Sequence, residues 1–511
     1  MKKKILNTLI EIIFFALIFI LILSLVLNKT INSLDEIWNY YNSHTILMGL
    51  MPYKDISLIT TPLFQWTSAI FLKIFGDHLI VFRVEETIMI STIFFMTYKI
   101  LLELQRDRIF SILASLFMIT LYGSYIACDY NFLSLLLILI IVLMELKQIN
   151  KNEKIILNKI DIIEGMVAGL VVCTKQSIEL FTCITILIEP FLLIYDSKEK
   201  NIALKKTIYR LIGIASVGTI FIVYLSLTKS FNDFVNYAIL GIRTFKNKIE
   251  YKSLLQSEFT LIRVLSVIMP IYIITTIIAL IIFKSKISKD KKLSKYKEFV
   301  SKNICLIAME FGMAIVVYPI SDVQHFLLSI FILIMQFWGV MGFTINTLEQ
   351  KKIIVSAEIA IIVLIFCNLT KSIYINLKEY INKDKINGLK HYEYIINDND
   401  IEENIKIRTQ YILSKEEEGY NVRFIDASVA IFRIPLDEYE KNYDIPIIGN
   451  IGKDGEDGMI TEIEKSHNTV YIILNDKSEK NWQTLLNVID YIKEHCKKLE
   501  SFCEYDVYYK E

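Results

Sequence analysis

Long apolar runs, repeated along most of the chain and parted by lysine-rich connections, are the feature that most limits what this sequence can fold into. Candidate spans are 5–27, 82–104, 109–127, 130–147, 162–176, 178–195, 207–228, 259–283, 302–319, 325–345 and 353–371. Each approaches the ~20 residues that cross a bilayer as a helix, which predicts about eleven transmembrane helices. Of the 511 residues 54% are hydrophobic, more apolar surface than a soluble chain of this length could bury. The formal net charge is zero, so no global basic field points to nucleic acid.

The run 5–27 follows Lys2, Lys3 and Lys4. It is too long for a signal-peptide core and no small-residue cleavage site closes it, so it reads as an uncleaved first span with a cytoplasmic N-terminus. Segment 62–76, PLFQWTSAIFLKIFG, is short, begins with Pro and ends with Gly. Read as an interfacial helix on the outer surface, it leaves the connections bearing Arg106 and Arg108, Lys151, Lys154 and Lys159, Lys198, Lys200, Lys205 and Lys206, Lys284 to Lys297, and Lys351 and Lys352 on the cytoplasmic side. A crossing 62–76 would invert every later loop. Loop 229–258, with Arg243, Lys246 and Lys248, is the exception on the outside.

From about Lys371 the chain turns polar, and 372–511 reads as a soluble extracytoplasmic α/β domain. Strands are predicted at 422–432, 469–476 and 505–509, and a helix with an Asn cap at 481–496. GNIGKDGEDG (449–458) reads as a glycine-rich turn, being neither a phosphate loop nor a calcium loop. The seven cysteines lack zinc-like spacing. Cys128, Cys173, Cys183, Cys305 and Cys367 read as packing residues, while Cys496 and Cys503 leave a disulfide open. The fold class is thus an all-α polytopic membrane bundle, residues 1–371 with a first outer loop at 28–81, followed by the α/β domain.

This topology places Asp35, Glu36, Asp55, Asp129, Lys175, Asp322 and His325 at one membrane level, the extracytoplasmic ends of the spans. Asp35–Glu36 could be ordinary acids in the water beyond a helix. Asp129 precedes Tyr130–Asn131; deep in lipid it would cost about 2.5–3.5 kcal/mol, so it should face water or a cavity. Lys175–Gln176 ends an outward-running span, where a lysine can snorkel to headgroups or meet a phosphate. Tyr318 opens a turn in which Asp322 and His325, three apart, can share a helix face. Trp38, Tyr40, Tyr41, Tyr53 and Trp66 suit either sugar stacking or an interfacial aromatic belt. A divalent metal on Asp35, Glu36, Asp322 and His325 is conceivable, but no ligand spacing demands one.

The order of these features resembles a known family. An Asp-Glu pair follows the first span, then Gly49, Pro52, Tyr53 and Asp55, then Thr61-Pro62-Leu63 before an amphipathic helix ending Phe75-Gly76. The pattern is similar to the GT-C glycosyltransferases, above all the protein O-mannosyltransferase and lipid A aminoarabinose transferase group. It covers 1–180 well and the later spans loosely.

The resemblance implies a multi-pass cell-membrane enzyme that transfers a sugar from a polyprenyl-phosphate donor to a surface glycan, lipid or protein. Asp35 would be the general base, Glu36 would help place it or the acceptor, and Asp55 would be a second loop carboxylate. Tyr53, Asp129, Asn131, Lys175, Gln176, Tyr318, Asp322 and His325 are the candidate substrate contacts. The chemistry asks for such groups independently. Sugar transfer from a phosphate passes through an oxocarbenium-like state, one carboxylate suffices to take the acceptor proton, and cations or hydrogen-bond donors must meet the phosphate charge. A polymerase or ligase with a lipid-diphosphate donor would favour a late basic loop. A flippase would favour broken helices in two related halves. A non-catalytic scaffold also stays open.

Overall fold

The computed structural model describes residues 2–31, 34–105, 107–123, 129–151, 159–196, 199–244, 249–318, 320–346, 351–481 and 483–511. Cys128, Pro319, Arg106, Lys154, Lys198, Lys246, Lys248 and Trp482 lie outside them. Helices stand where apolar runs and the interfacial segment were expected, α1 Lys2–Leu27, α3 Leu63–Phe75, α4 Leu79–Gln105, α5 Arg108–Tyr122, α6 Tyr130–Lys151, α7 Lys159–Val172, α8 Gln176–Leu192 and α9 Lys200–Leu227, and the first outer loop adds an unexpected helix, α2 Leu34–Leu47. After shorter turns come α10 Thr260–Lys289, α11 Lys297–Ala314, α12 Val323–Ser329, α13 Phe331–Asn346 and α14 Lys351–Asn382.

Among the described residues six helices are long and apolar enough to cross a membrane, seven if α12 and α13 are one bent span. The expected count of about eleven is not reached, because a crossing needs ~20 residues. Helices α5, α7 and α8 have 15, 14 and 17 residues. Helix α4 is 27 residues long but carries Arg83, Glu85 and Glu86 near its start and is not among the six.

The chain divides into two compact units: Met1–Leu25, Glu86–Phe221 and Lys248–Asn376 in the first; Val26–Glu85, Ile222–Asn247 and Leu377–Glu511 in the second. In the first unit, α11 is buried along most of its length. Its Glu310 accepts the Leu333 N–H at 3.0 Å, in the first turn of α13. A carboxylate there satisfies a helix N-terminus and fits the 47° break between α12 and α13. Arg210 of α9, fully buried, pairs with Glu164 at 3.0 Å and Glu189 at 2.9 Å and also meets Glu145, so these charges turn into the helix packing.

Small residues let α7 and α9 approach closely. A Cβ at Gly165 would lie 2.1 Å from the Arg210 carbonyl oxygen, and one at Gly213 would lie 2.2 Å from that of Ile162. Gly165→Ala is therefore expected to destabilise the chain by about 1–3 kcal/mol through forced separation of the two helices. Thermal unfolding in detergent checks this; an unchanged midpoint would refute the close approach.

In the second unit α3 packs on α2. Phe64, Ser68 and Leu72 face inward, while Ile70, Ile74 and Phe75 form an exposed apolar stripe. Gly76, at φ +113°, ends α3 with its N–H on the Leu72 carbonyl at 2.9 Å. The C-terminal part carries a four-stranded sheet. β1 Asn421–Ile425 pairs parallel with β2 Thr469–Leu474. Strand β4 Tyr505–Lys510 runs antiparallel to both β2 and β3 Lys497–Phe502. Val470, Tyr471, Ile472 and Ile473 of β2 are fully buried at the sheet centre.

The strand expected at 422–432 stops at Ile425. Asp426 and Ser428 bond to each other in a turn, and Val429–Arg433 is a helix. The helix expected from Asn481 starts at Leu486, because the Asn481 side chain is used in a turn, accepting from the Gln483 N–H at 2.8 Å. In 449–458, Gly449, Gly452 and Gly455 take positive φ before the helix Gly455–Lys465. Cys496 and Cys503 are free thiols at opposite ends of β3.

Candidate functional site

The acid pair of the first loop opens α2, where the helix dipole favours negative charge. Its two members have separate fates. Glu36 is buried, and the Arg83 guanidinium grips both of its oxygens at 2.8 Å. Arg83 also donates to the carbonyls of Lys29 at 2.7 Å and Thr30 at 3.0 Å, pinning the entry to α2. Burial pushes the Glu36 carboxyl up, but the Arg83 charge and hydrogen bonds outweigh it and hold Glu36 below the usual range. Glu36 is thus a fixed anion that locks the helix start. Asp35, one residue earlier, is exposed. Arg83 was not among the sequence candidates; a lone arginine at the head of an apolar run was the available signal.

The loop after α2 is tightly tied. Tyr53, at φ +68°, is buried and donates its hydroxyl to the Thr60 carbonyl at 2.7 Å. Asp55 accepts the Met51 N–H at 2.9 Å. Tyr40 and Tyr41 are also buried, their hydroxyls donating to Asp77 at 3.2 Å and to the Glu438 carbonyl at 3.0 Å. Trp38 donates to the Ala427 carbonyl at 2.9 Å. Tyr40, Tyr41 and Tyr53 therefore form neither an interfacial belt nor an open stacking platform. Trp66 is half-buried edge-on against Tyr224, with ring centroids 4.8 Å apart.

In the first unit the structure gathers Asp129, Asn131 and Lys175. Asp129 is buried and caps α6, accepting the N–H groups of Asn131 at 2.8 Å and Phe132 at 3.2 Å. Its second oxygen accepts from the side-chain amides of Asn131 and Gln324, each at 3.2 Å. The Lys175 ammonium donates to the Asn131 amide oxygen at 2.9 Å and lies 5.1 Å from the Tyr130 ring centroid. Burial raises the Asp129 carboxyl above its ordinary value, more than the Asn131 and Phe132 bonds and the nearby His325 and Lys175 charges lower it.

Asp322 caps α12 and accepts from both the N–H and the ring nitrogen of His325, at 2.8 and 2.9 Å. Burial raises Asp322 but His325 overrides it, leaving the carboxyl low. Tyr318 is exposed, and Gln176 opens α8 half-buried. Asp35, Glu36, Tyr53 and Asp55 belong to the second unit and the other candidates to the first. The conceivable metal set Asp35, Glu36, Asp322 and His325 finds Glu36 taken by Arg83 and Asp322 by His325. The His/Asp group that does converge among the described residues is His44, His391 and Asp437, which shares no member with that set.

No family model matches the chain. No curated protein matches it in sequence. Solved structures do match. ArnT from Cupriavidus metallidurans bound to undecaprenyl phosphate superimposes with TM-score 0.54 at 8% identity, covering 99% of this chain and 98% of that one. The Archaeoglobus fulgidus oligosaccharyltransferase in complex with zinc and sulfate gives TM-score 0.41 at 10% identity over 89% of this chain and 68% of that one. Across nearly its whole length, the chain shares the fold of ArnT.

Proposed function

We propose that the chain is an inverting glycosyltransferase, moving a sugar from a polyprenyl-phosphate donor to a surface glycan, lipid or protein on the outer face of the membrane. The observation that carries this reading is the unequal acid pair. An exposed carboxylate, Asp35, heads a helix whose start is locked by the buried Glu36–Arg83 bridge. In that role Asp35 takes the proton of the acceptor hydroxyl as it attacks the anomeric carbon, and the sugar–phosphate bond breaks. Phosphate is already a good leaving group and needs charge stabilisation rather than protonation. Within the first unit, Lys175, its ammonium held by the Asn131 amide oxygen at 2.9 Å, is the candidate group to meet such a charge. The ArnT fold supports the donor class.

The same reading keeps the N-terminus cytoplasmic and 372–511 extracytoplasmic, with α3 in the outer lipid interface on its Ile70, Ile74 and Phe75 stripe. A reporter fused after Glu511 should read extracytoplasmic; a cytoplasmic signal would overturn this orientation. Lys175→Met should lower kcat/KM for a polyprenyl-phosphate sugar about 10–100-fold, the worth of one charge-assisted hydrogen bond. Steady-state kinetics over donor concentration tests it, and unchanged kinetics would remove Lys175 from the site.

A further inference from the structure

The second unit holds a convergence of imidazoles and a carboxylate that the transfer chemistry does not use. His44, on α2, is buried and its Nδ1 sits 2.8 Å from Asp77 Oδ2. His391, also buried, has its Nδ1 2.6 Å from the Asp77 main-chain carbonyl oxygen. Both acceptors require a proton on Nδ1, which leaves Nε2 of each neutral ring as a lone pair. The two Nε2 atoms face one oxygen: Asp437 Oδ1 lies 2.7 Å from His391 Nε2 and 3.5 Å from His44 Nε2. His44 Nε2 makes no hydrogen bond although it is buried. Lys390 takes the other Asp437 oxygen, leaving Oδ1 for the convergence.

Two lone pairs aimed at a carboxylate oxygen repel it unless a proton or a metal cation stands between them. The ligand atoms of the three side chains lie within 4.8 Å of one another. Donors on one tetrahedral zinc ion, with bonds of ~2.0–2.1 Å, stand about 3.3–3.4 Å apart, close to the 3.5 Å His44–Asp437 spacing, while the 2.7 Å His391–Asp437 pair would open by roughly 0.6 Å to admit the ion. The Asp77 carboxylate behind His44 and its carbonyl behind His391 are the outer partners that set the tautomer of metal-binding histidines.

We propose that His44, His391 and Asp437 bind a divalent transition-metal ion of the zinc class, with a fourth position for water. Two imidazoles and a carboxylate suit zinc better than magnesium or calcium, which take oxygen ligands. The ion clips α2 to two segments of the C-terminal region, one at His391 and one at Asp437, both residues with positive φ. It is a site of its own: His44 is nine residues beyond Asp35 on the helix.

The test is elemental analysis of the full chain, purified in detergent without added metal, alongside titration of the chelator-stripped protein with cobalt(II) chloride. About one zinc per chain is expected. A visible ligand-field band should appear with cobalt, and chelator should lower Tm by several degrees. His44→Ala and His391→Ala should each lose the metal. His78→Ala, which removes the neighbouring His78–Glu393 pair at 2.9 Å, should keep it. If either ligand variant fails to fold, the cobalt band and chelator shift of the wild-type chain decide alone. A wild-type chain with no zinc and no cobalt band would overturn the proposal and make the cluster a set of protonated histidines. Equal metal content in folded His44→Ala, His391→Ala and wild type would overturn it too.

Discussion

Asp35→Asn is expected to lower turnover about 10²–10⁴-fold, the usual contribution of a positioned general base. Fold stability should not change, because the start of α2 is held by Glu36 and Arg83. The asparagine keeps the size of the side chain, and the first-turn dipole interaction it weakens is worth about 0.3–1 kcal/mol. Donor binding should change little, so the loss should fall on kcat rather than on KM. Membrane expression, Tm and single-turnover rates with a defined polyprenyl-phosphate sugar separate these effects. Wild-type turnover in a properly inserted Asp35→Asn chain would remove Asp35 as the base.

Arg83→Met should produce the largest loss of stability, about 3–5 kcal/mol, because it strands the Glu36 carboxylate without its partner. The pair is fully enclosed, with Arg83 0% and Glu36 2% exposed, so water cannot take over the lost bonds. The carbonyls of Lys29 and Thr30 lose their donor in the same variant. Adding Glu36→Met should recover much of the loss, since an apolar pair is often no worse than a buried ion pair. Comparing denaturation midpoints of the two single variants and the double variant measures this. A single variant within error of the wild type would show that the bridge does not hold the helix start.

Much of this was legible before any coordinates. Apolar runs marked where helices stand, since burial in lipid or in the bundle demands the same side chains. That equivalence is also why fewer of the described helices pass as spans than the apolar runs suggested: α7 and α8, with 14 and 17 residues, are as apolar as a span but short for one. Asp129, Asn131 and Lys175 could be grouped from loop position because each lies at a helix end, where capping and charge leave a local signature.

The roles within the acid pair were not legible. The residue that consumes Glu36 is Arg83, 47 positions away, and periodicity carries no information about such a partner. His44, His391 and Asp437 fail for the same reason, being scattered over nearly the whole second unit. Tyr40, Tyr41 and Tyr53 read as sugar-stacking or interfacial aromatics because they lie in the loop just beyond the first span. Inside the fold their hydroxyls find acceptors, two of them main-chain carbonyls, and burial costs nothing further. In the C-terminal region, Val429–Arg433 has strand-like composition, but the Asp426–Ser428 turn cuts it off from β1.

The most direct test of the central claim is mass spectrometry of the lipid product, with NMR of the new glycosidic bond, after the purified chain in lipid nanodiscs is incubated with a polyprenyl-phosphate sugar and an acceptor. The account predicts release of free polyprenyl monophosphate with transfer of the sugar in inverted configuration. Release of polyprenyl diphosphate, recovery of the lipid-linked sugar intact, or a retained anomeric configuration would contradict it.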